Sequence, residues 1–132
     1  MNVLLWVLQI ALGVYFVLTG VVHFIVPPGL PEAMGWMYDL STEVHWISGA
    51  AEILGGLGLL LPGLLRTQTR LIPLAALGLV LVMAGAAAWH LTRGEYTNIA
   101  MNVLFGGLAA FVAYGRWKLR PLADREDARP AA

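Results

Sequence analysis

Four long apolar runs dominate the sequence, and short polar segments separate them. The runs cover residues 3–26, 44–61, 71–91 and 98–114. Runs of this size approach or exceed the roughly 20 residues with which a helix crosses a bilayer. Lipid offers the backbone no hydrogen-bond partners, so such runs cross it as helices. The sequence therefore predicts an all-α protein, an antiparallel four-helix transmembrane bundle.

Composition indicates the same class of protein. Hydrophobic residues make up 59% of the 132 residues and charged residues only 12%, against about 25% charged residues in a soluble domain. The formal net charge is zero, so no basic field is present to attract nucleic acid. The chain has no cysteine, which excludes thiol chemistry and thiolate metal ligands. We expect one transmembrane domain over residues 1–118 and a charged tail over residues 119–132.

Proline, glycine and capping residues predict where the helices begin and end. Pro27-Pro28-Gly29 ends the first helix, and Pro62-Gly63 is expected to end the second, because proline has no backbone donor. Ser41 or Thr42 can cap the start of the second helix.

A less apolar segment connects the first two helices. Residues 30–42 combine acidic side chains with Trp36 and Tyr38, and tryptophan and tyrosine favour the membrane interface. We therefore expect an interfacial segment that lies on the bilayer between helices 1 and 2, with a lid over the bundle as the alternative.

The distribution of positive charge predicts the orientation of the chain. With four spans, both termini and the second loop share one side of the membrane, and the other side holds only Arg93. The cations of the first side are Arg66, Arg70, Arg116, Lys118, Arg120, Arg125 and Arg129. The positive-inside rule then predicts cytoplasmic termini. The tail from Arg116 on is expected to fray, and its basic segment 116–120 is expected to anchor at the anionic inner leaflet.

One carboxylate, Glu52, lies within an apolar run. A charged side chain inside the bilayer costs several kcal/mol, so Glu52 is a candidate functional residue. His45 precedes it by nearly two helical turns, which places both side chains on one face, about 10 Å apart along the axis. In the first helix, Gln9, Phe16 and His23 are spaced by seven residues, and we expect this face to look into the protein.

Polar residues of all four helices fall in the predicted outer half of the membrane. They are His23 in the first helix, His45 and Glu52 in the second, His90 in the third, and Asn98 and Asn102 in the fourth. Because each polar group needs a partner in lipid, we expect them to converge on one pocket.

A quinone or another lipid-like molecule with a polar head is the ligand that we favour for this pocket. Histidine and carboxylate groups can hydrogen-bond such a head and pass protons. Glu52 and His90 are the candidates for proton transfer or for anchoring the ligand. The candidate ligand-binding residues are His23, His45, Asn98, Asn102, Trp46 and Trp89. A metal site is disfavoured, because no two of these histidines or Glu52 are spaced by three or four residues.

Two other interpretations stay open. Glu52 can pair with histidine or asparagine only to lock the helix positions, since buried polar contacts in membranes contribute about 0.6 kcal/mol. Alternatively, the small-residue face of Gly55, Gly56 and Gly58 can dock a partner membrane protein or a second copy of the chain.

Several short motifs follow one another along the four spans in a specific order. They are Phe16-x-x-Thr19-Gly20, then Gly49-x-x-Glu52-x-x-Gly55-Gly56-x-Gly58-Leu-Leu-Leu-Pro62, then Ala87-Ala88-Trp89-His90, and finally Asn102. Over about residues 10–118 this series resembles the DoxX-like family, and the second-span motif is its most specific part. The resemblance implies four membrane helices, with the family's acidic residue at Glu52 and a polar position at His90. His23 departs from the basic residue that many relatives carry at that place.

The function that the resemblance implies is broad. Some relatives are subunits associated with thiosulfate:quinone oxidoreduction, others are linked to oxidant-defence membrane complexes, and distant ones assist the assembly of membrane proteins. We expect a subunit of a redox system in a bacterial inner membrane that binds a quinone or lipid-like molecule. The alternative is a non-enzymatic assembly protein that docks a partner. Without cysteine, any redox role requires a quinone or a partner subunit, and enzymatic activity is left open.

Overall fold

A computed structural model of the chain describes residues 1–127, which form a bundle of four long α-helices. They are α1 (Asn2–Ile25), α2 (Thr42–Leu65), α3 (Leu71–Thr92) and α4 (Tyr96–Tyr114). Each is long and apolar enough to cross a membrane, α4 together with the turn that follows it. The predicted all-α bundle of four apolar helices is confirmed. Arg129 and the rest of the predicted tail beyond residue 127 lie outside the described residues.

The helices form a closed ring in which each neighbour runs antiparallel to the next. Chain neighbours pack together, and α4 returns to α1 through a stacked contact between Tyr15 and Phe105, whose ring centroids are 4.1 Å apart. Phe16, Leu59 and Leu79 are fully buried in the apolar core. Of the four neighbouring pairs, α1 and α4 pack against each other least, so the ring has one weak seam.

Two pairs of glycines bring the backbones of α1 and α2 into direct contact. A Cβ on Gly49 would lie 2.8 Å from the carbonyl oxygen of Gly20, and a Cβ on Gly20 would lie 2.8 Å from that of Gly49. Gly13 and Gly56 repeat this arrangement further along, with Gly56 meeting the Gly13 carbonyl oxygen. Such close approach requires residues without a side chain. The glycine motif of α2 is therefore used inside the bundle.

The α2 glycines, which the sequence suggests as a docking face for a partner, contact other helices of the bundle. A Cβ on Gly55 would lie 2.5 Å from a side-chain carbon of Leu79 in α3, and a Cβ on Gly58 would lie 2.6 Å from the Cβ of Ala75. Gly56 faces α1. These three glycines therefore contact neighbouring helices of the same chain, and Gly56 is buried there.

The connection between α1 and α2 contains a 3₁₀ helix, Glu32–Asp39, which lies at the end of the bundle opposite the termini. We refer to this end as the 3₁₀ end and to the other as the termini end. Met37 of the 3₁₀ helix is buried, and the Tyr38 hydroxyl donates a hydrogen bond to the Pro27 carbonyl. Ser41 then caps α2 by accepting from the backbone N–H of Val44. The segment is therefore an ordered cover that contacts the bundle.

The expected stop of the second helix at Pro62-Gly63 is wrong, because α2 continues through Pro62 to Leu65. A proline inside a helix disturbs the hydrogen bonds of the preceding turn. In this turn the Leu59 carbonyl accepts a hydrogen bond of 2.7 Å from the Gln9 side chain. A neighbouring side chain can supply partners to a proline-disturbed turn in lipid, which allows the helix to continue.

The polar tail after α4 is bound to the loop between α2 and α3. The Asp124 carboxylate accepts hydrogen bonds from the backbone N–H groups of Gln68 and Thr69, at 3.2 and 2.9 Å. The Thr69 hydroxyl donates to the Leu122 carbonyl at 2.7 Å. The expectation that the tail frays is therefore wrong for residues 120–127, because side chains fix it to the start of α3.

Alanine at Gly56 is expected to destabilise the bundle, because its Cβ would lie 2.6 Å from the Gly13 carbonyl oxygen. Overpacking of this kind costs about 1–3 kcal/mol. The measurement is the thermal unfolding midpoint in detergent, followed by circular dichroism. Gly78→Ala in α3 is the matched control, since nothing lies within 4 Å of that added Cβ. Equal midpoints for the two variants would contradict the backbone contact between α1 and α2.

Docking of the tail is expected to depend on pH through Asp124. The Thr69 backbone N–H, acting with the charge of Arg70, holds the pKa of Asp124 below its usual value. Docking is therefore at full strength above the usual carboxyl pKa of about 3.9 and weakens as the pH falls through the lowered pKa. At neutral pH, Asp124→Ala should accelerate hydrogen exchange of the Thr69 backbone N–H about fivefold, as loss of a helix cap does. Glu126→Ala is the control, and equal exchange rates would sink the prediction.

Candidate functional site

Three of the predicted site residues meet beneath the 3₁₀ helix. His23 of α1 and His45 of α2 face each other with their Nδ1 atoms 2.9 Å apart. His23 Nε2 lies 3.9 Å from Glu52 Oε1, and His45 Nε2 lies 2.8 Å from the Met37 carbonyl oxygen. All three side chains are buried. The structure thus links Glu52 to the 3₁₀ helix through two imidazole rings.

The carbonyl at the end of this chain fixes the direction of its hydrogen bonds. A carbonyl only accepts, so His45 Nε2 carries the hydrogen that is donated to Met37. In a neutral His45, Nδ1 is then the acceptor, and His23 Nδ1 donates to it. His23 Nε2 is left facing Glu52, and a proton between them resides either on the carboxyl group or on the imidazole. The arrangement can hold one proton at two alternative sites.

On α2 and α4, two buried polar atoms have no hydrogen-bond partner among residues 1–127. They are Oε2 of Glu52 on α2 and Nδ2 of Asn102 on α4. One is an acceptor, or a donor when the carboxyl group is protonated, and the other is a donor. An unpaired polar group buried in an apolar environment is costly, so such atoms are candidates for contact with a ligand or water.

Neighbouring contacts place these two atoms at similar depth. Glu52 lies in the turn of α2 that packs against Gly20, and Asn102 lies nearly one turn from Phe105. Phe105 stacks on Tyr15, which is itself just over one turn from Gly20. Both residues are therefore within about one turn of the Tyr15–Phe105 stack, towards the 3₁₀ end.

His90 is buried in a separate cluster at the same end. Its Nδ1 lies 2.5 Å from Oε2 of Glu95, whose other oxygen accepts from Arg93 at 2.8 Å. Arg93 also pairs with Asp39 at the end of the 3₁₀ helix. The hydrogen bond from His90, with the contribution of Arg93, holds the pKa of Glu95 below its usual value. These side-chain contacts connect the turn between α3 and α4 to the end of the 3₁₀ helix.

Trp36 of the 3₁₀ helix stands between the two histidine clusters. Its ring centroid is 5.0 Å from that of His90 and 6.1 Å from that of His23. His90 is therefore engaged with Glu95 and Trp36, whereas His23 and His45 are engaged with each other. The structure brings His23, His45 and Glu52 together, and the Trp36 ring separates His90 from them.

The remaining predicted residues occupy different positions. Trp46 is 59% exposed on the outside of α2, because it follows His45 directly on a helix and points away from the core. Trp89 is half-buried, packs against Trp36 and carries the Arg93 guanidinium over its ring. Asn98 is half-buried one turn from Asn102. Among the described residues, no group of three or more His, Asp or Glu side chains is arranged to hold a metal ion.

A second buried polar cluster, at the termini end, was missed by the sequence analysis. Arg116 is only 3% exposed, and its guanidinium donates to Oε1 of Gln9 and Oδ1 of Asn2, both at 2.8 Å. Its guanidinium carbon also lies 5.0 Å from the centre of the Trp6 ring. Arg116 is therefore a buried residue, whereas the sequence placed it in an exposed basic segment. The inward face predicted for Gln9 was the one available signal, because a buried amide needs a partner.

The comparison with known proteins is consistent with this architecture. No curated protein and no solved structure matches the chain at a significant level. The profile of the DoxX-like family matches residues 7–112, which is most of the chain and spans all four helices. Together with the four apolar helices, this match identifies a multi-pass integral membrane protein. The chain belongs to the DoxX-like family.

Proposed function

We propose that this protein binds a quinone or another lipid-like molecule through Glu52 and Asn102. The observation that carries the proposal is the pair of buried, unpartnered polar atoms, Glu52 Oε2 and Asn102 Nδ2, at similar depth on different helices. A head group with an oxygen at this depth would satisfy both atoms. The apolar surroundings suit the hydrophobic body of such a ligand.

The donor and acceptor pattern suits a carbonyl or hydroxyl head group. The Asn102 amide can donate to a carbonyl oxygen, and Glu52 can accept from a hydroxyl group or, when protonated, donate to a carbonyl. His23 Nε2, 3.9 Å from Glu52, is placed to exchange a proton with the carboxyl group after a small rotation or through one water. In this proposal Glu52 holds the proton and His23 and His45 set its position.

The seam between α1 and α4 is the proposed route of entry from the lipid. These two helices pack against each other least, and the stacked rings of Tyr15 and Phe105 form their central contact. Rotation of two aromatic side chains would expose Asn102 to the bilayer without separating α1 from α2. A hydrophobic ligand could then enter sideways.

Some predicted roles change within this proposal. His90 is held by Glu95, so we assign it to fixing the 3₁₀ end rather than to proton transfer. Trp46 is exposed and takes no part. We further propose that the protein is the ligand-binding subunit of a redox system in a bacterial inner membrane, with both termini in the cytoplasm. A partner subunit would then supply the electrons.

Loss of either unpartnered group is expected to weaken retention of the ligand. Asn102→Ala removes one hydrogen bond and should weaken binding about fivefold, whereas Glu52→Gln, which removes the charged or protonated carboxyl group, should weaken it tenfold or more, on the order of hydrogen-bond energies. The measurement is native mass spectrometry of the detergent-purified protein, titrated with a short-chain ubiquinone and then analysed for bound lipids.

Asn98→Ala is the matched control, because Asn98 lies on the same helix, one turn from Asn102. No side-chain atom of Asn98 is at once buried and without a hydrogen-bond partner. Its ubiquinone binding should stay within twofold of the unchanged protein. Equal binding in all four proteins, or the absence of any bound small molecule, would refute the ligand-binding proposal.

A partner-docking role is the second candidate, and it now rests on other glycines. A Cβ at Gly78 or Gly85 of α3 would have nothing within 4 Å, and both residues are exposed. Small residues on a membrane-facing surface permit close approach of another helix.

If this second role is correct, Gly78→Leu should disrupt a co-purifying complex while leaving the unfolding midpoint of the isolated protein unchanged. Size-exclusion chromatography with cross-linking measures the complex, and Glu52→Gln is the control that should leave it intact. A complex that survives Gly78→Leu would rule out docking at this face of α3.

A further inference from the structure

A cavity of about 290 Å³ lies at the termini end, away from Glu52 and the histidines. It is open on one side and is lined by the start of α3, the turn after α4 and the docked tail. Its polar lining includes Arg70 and Arg116, and its apolar lining includes Pro73, Leu74, Trp117 and Leu122. At about 30 Å³ per water molecule, the space would hold on the order of ten waters. This is large enough for a polar head group.

The walls of this cavity are fixed by specific contacts. The Thr69 hydroxyl holds the Leu122 carbonyl at 2.7 Å, and Asp124 binds the start of α3. Leu122 packs against the apolar core of the bundle. On the other side, α4 continues as a π-helical turn, Gly115–Leu119, which positions Arg116. The cavity is therefore part of the folded bundle.

Arg116 brings a buried positive charge that no carboxylate of the described residues neutralises. Its hydrogen-bond acceptors are the neutral side chains of Gln9 and Asn2 and the Arg120 carbonyl. Its Nη2 atom is buried and has no partner among residues 1–127. Arg70 adds a second charge; it lies near Asp124, but no ion pair joins the two in the described residues. A buried charge without a counter-ion is costly, so an anion is expected beside it.

We propose that this cavity binds the phosphate group of an anionic membrane lipid. Arginine recognises phosphate through several N–H donors at once, and two arginines line the same space. Inorganic phosphate shares this chemistry. The apolar residues favour the lipid, because the exposed side chains of Leu74 and Trp117 continue the cavity lining onto the outer surface, where acyl chains can lie.

The position at the end of the bundle fits a lipid head group. Tyr114 and Trp117 are both exposed here, and such side chains favour the membrane interface. The same end carries the cationic residues Arg66, Lys118 and Arg120, which attract anionic lipid. The buried Arg116 would then add selectivity to a general attraction. This site shares no residue with the Glu52 site, so either proposal can fail without the other.

The test is lipid retention by the purified full-length protein. Native mass spectrometry in detergent is performed with phosphatidylglycerol, with zwitterionic phosphatidylcholine of the same acyl chains, and with inorganic phosphate as a competitor. Arg70→Gln should weaken phosphatidylglycerol binding about fivefold, because one direct hydrogen bond from the cavity wall to the phosphate is lost. Arg116→Gln should weaken it tenfold or more, because a charge-assisted hydrogen bond is lost. The unfolding midpoint of Arg116→Gln is measured in parallel, to establish that this variant is folded.

Lys118→Gln is the matched control. This substitution removes one positive charge from the same end of the bundle, but Lys118 does not line the cavity. Selective phosphatidylglycerol binding that survives Lys118→Gln and is weakened by Arg70→Gln supports the proposal even if Arg116→Gln does not fold. Equal losses in Arg70→Gln and Lys118→Gln would overturn it in favour of diffuse surface attraction. Complete displacement of the lipid by millimolar inorganic phosphate would overturn the assignment to lipid.

Discussion

The contact between the backbones of α1 and α2 determines where the polar side chains of the bundle can meet. At Gly49 the helices are so close that an added Cβ would lie 2.9 Å from the Cβ of His23. This spacing lets His23 and His45 bond across the interface, and it brings Glu52 within reach of His23. A bulkier residue at Gly20 or Gly49 would meet the facing backbone and push α1 and α2 apart.

The buried polar groups at the two ends of the bundle have different kinds of partner. At the 3₁₀ end, acidic and imidazole groups are linked to each other and to the cover formed by residues 32–39. At the termini end, Arg116 is surrounded by neutral acceptors such as Gln9. An apolar layer that contains Leu59, Ile72 and Leu79 separates the two ends. The buried acidic and imidazole groups are thereby kept apart from the buried cation within one small protein.

The sequence was sufficient for the fold because hydropathy and chain breaks act locally. The four spans, the Ser41 cap and the inward face of Gln9 followed from local patterns. The side-chain contacts of His90 did not, because its partner Glu95 lies beyond the end of the helix. Arg116 was also mistaken for a surface residue, since composition cannot show that a basic segment turns back against α1. What escaped prediction depends on contacts between distant parts of the chain.

The uneven packing around the ring has a consequence for how the protein is assembled in the membrane. The pairs α1–α2 and α3–α4 are tightly packed antiparallel hairpins, whereas α1 and α4 touch lightly. Each hairpin consists of neighbouring spans, so it can form as a local unit when the two spans have entered the bilayer. Glu52 belongs to one hairpin and Asn102 to the other. The two groups are therefore enclosed within one bundle only when the hairpins dock.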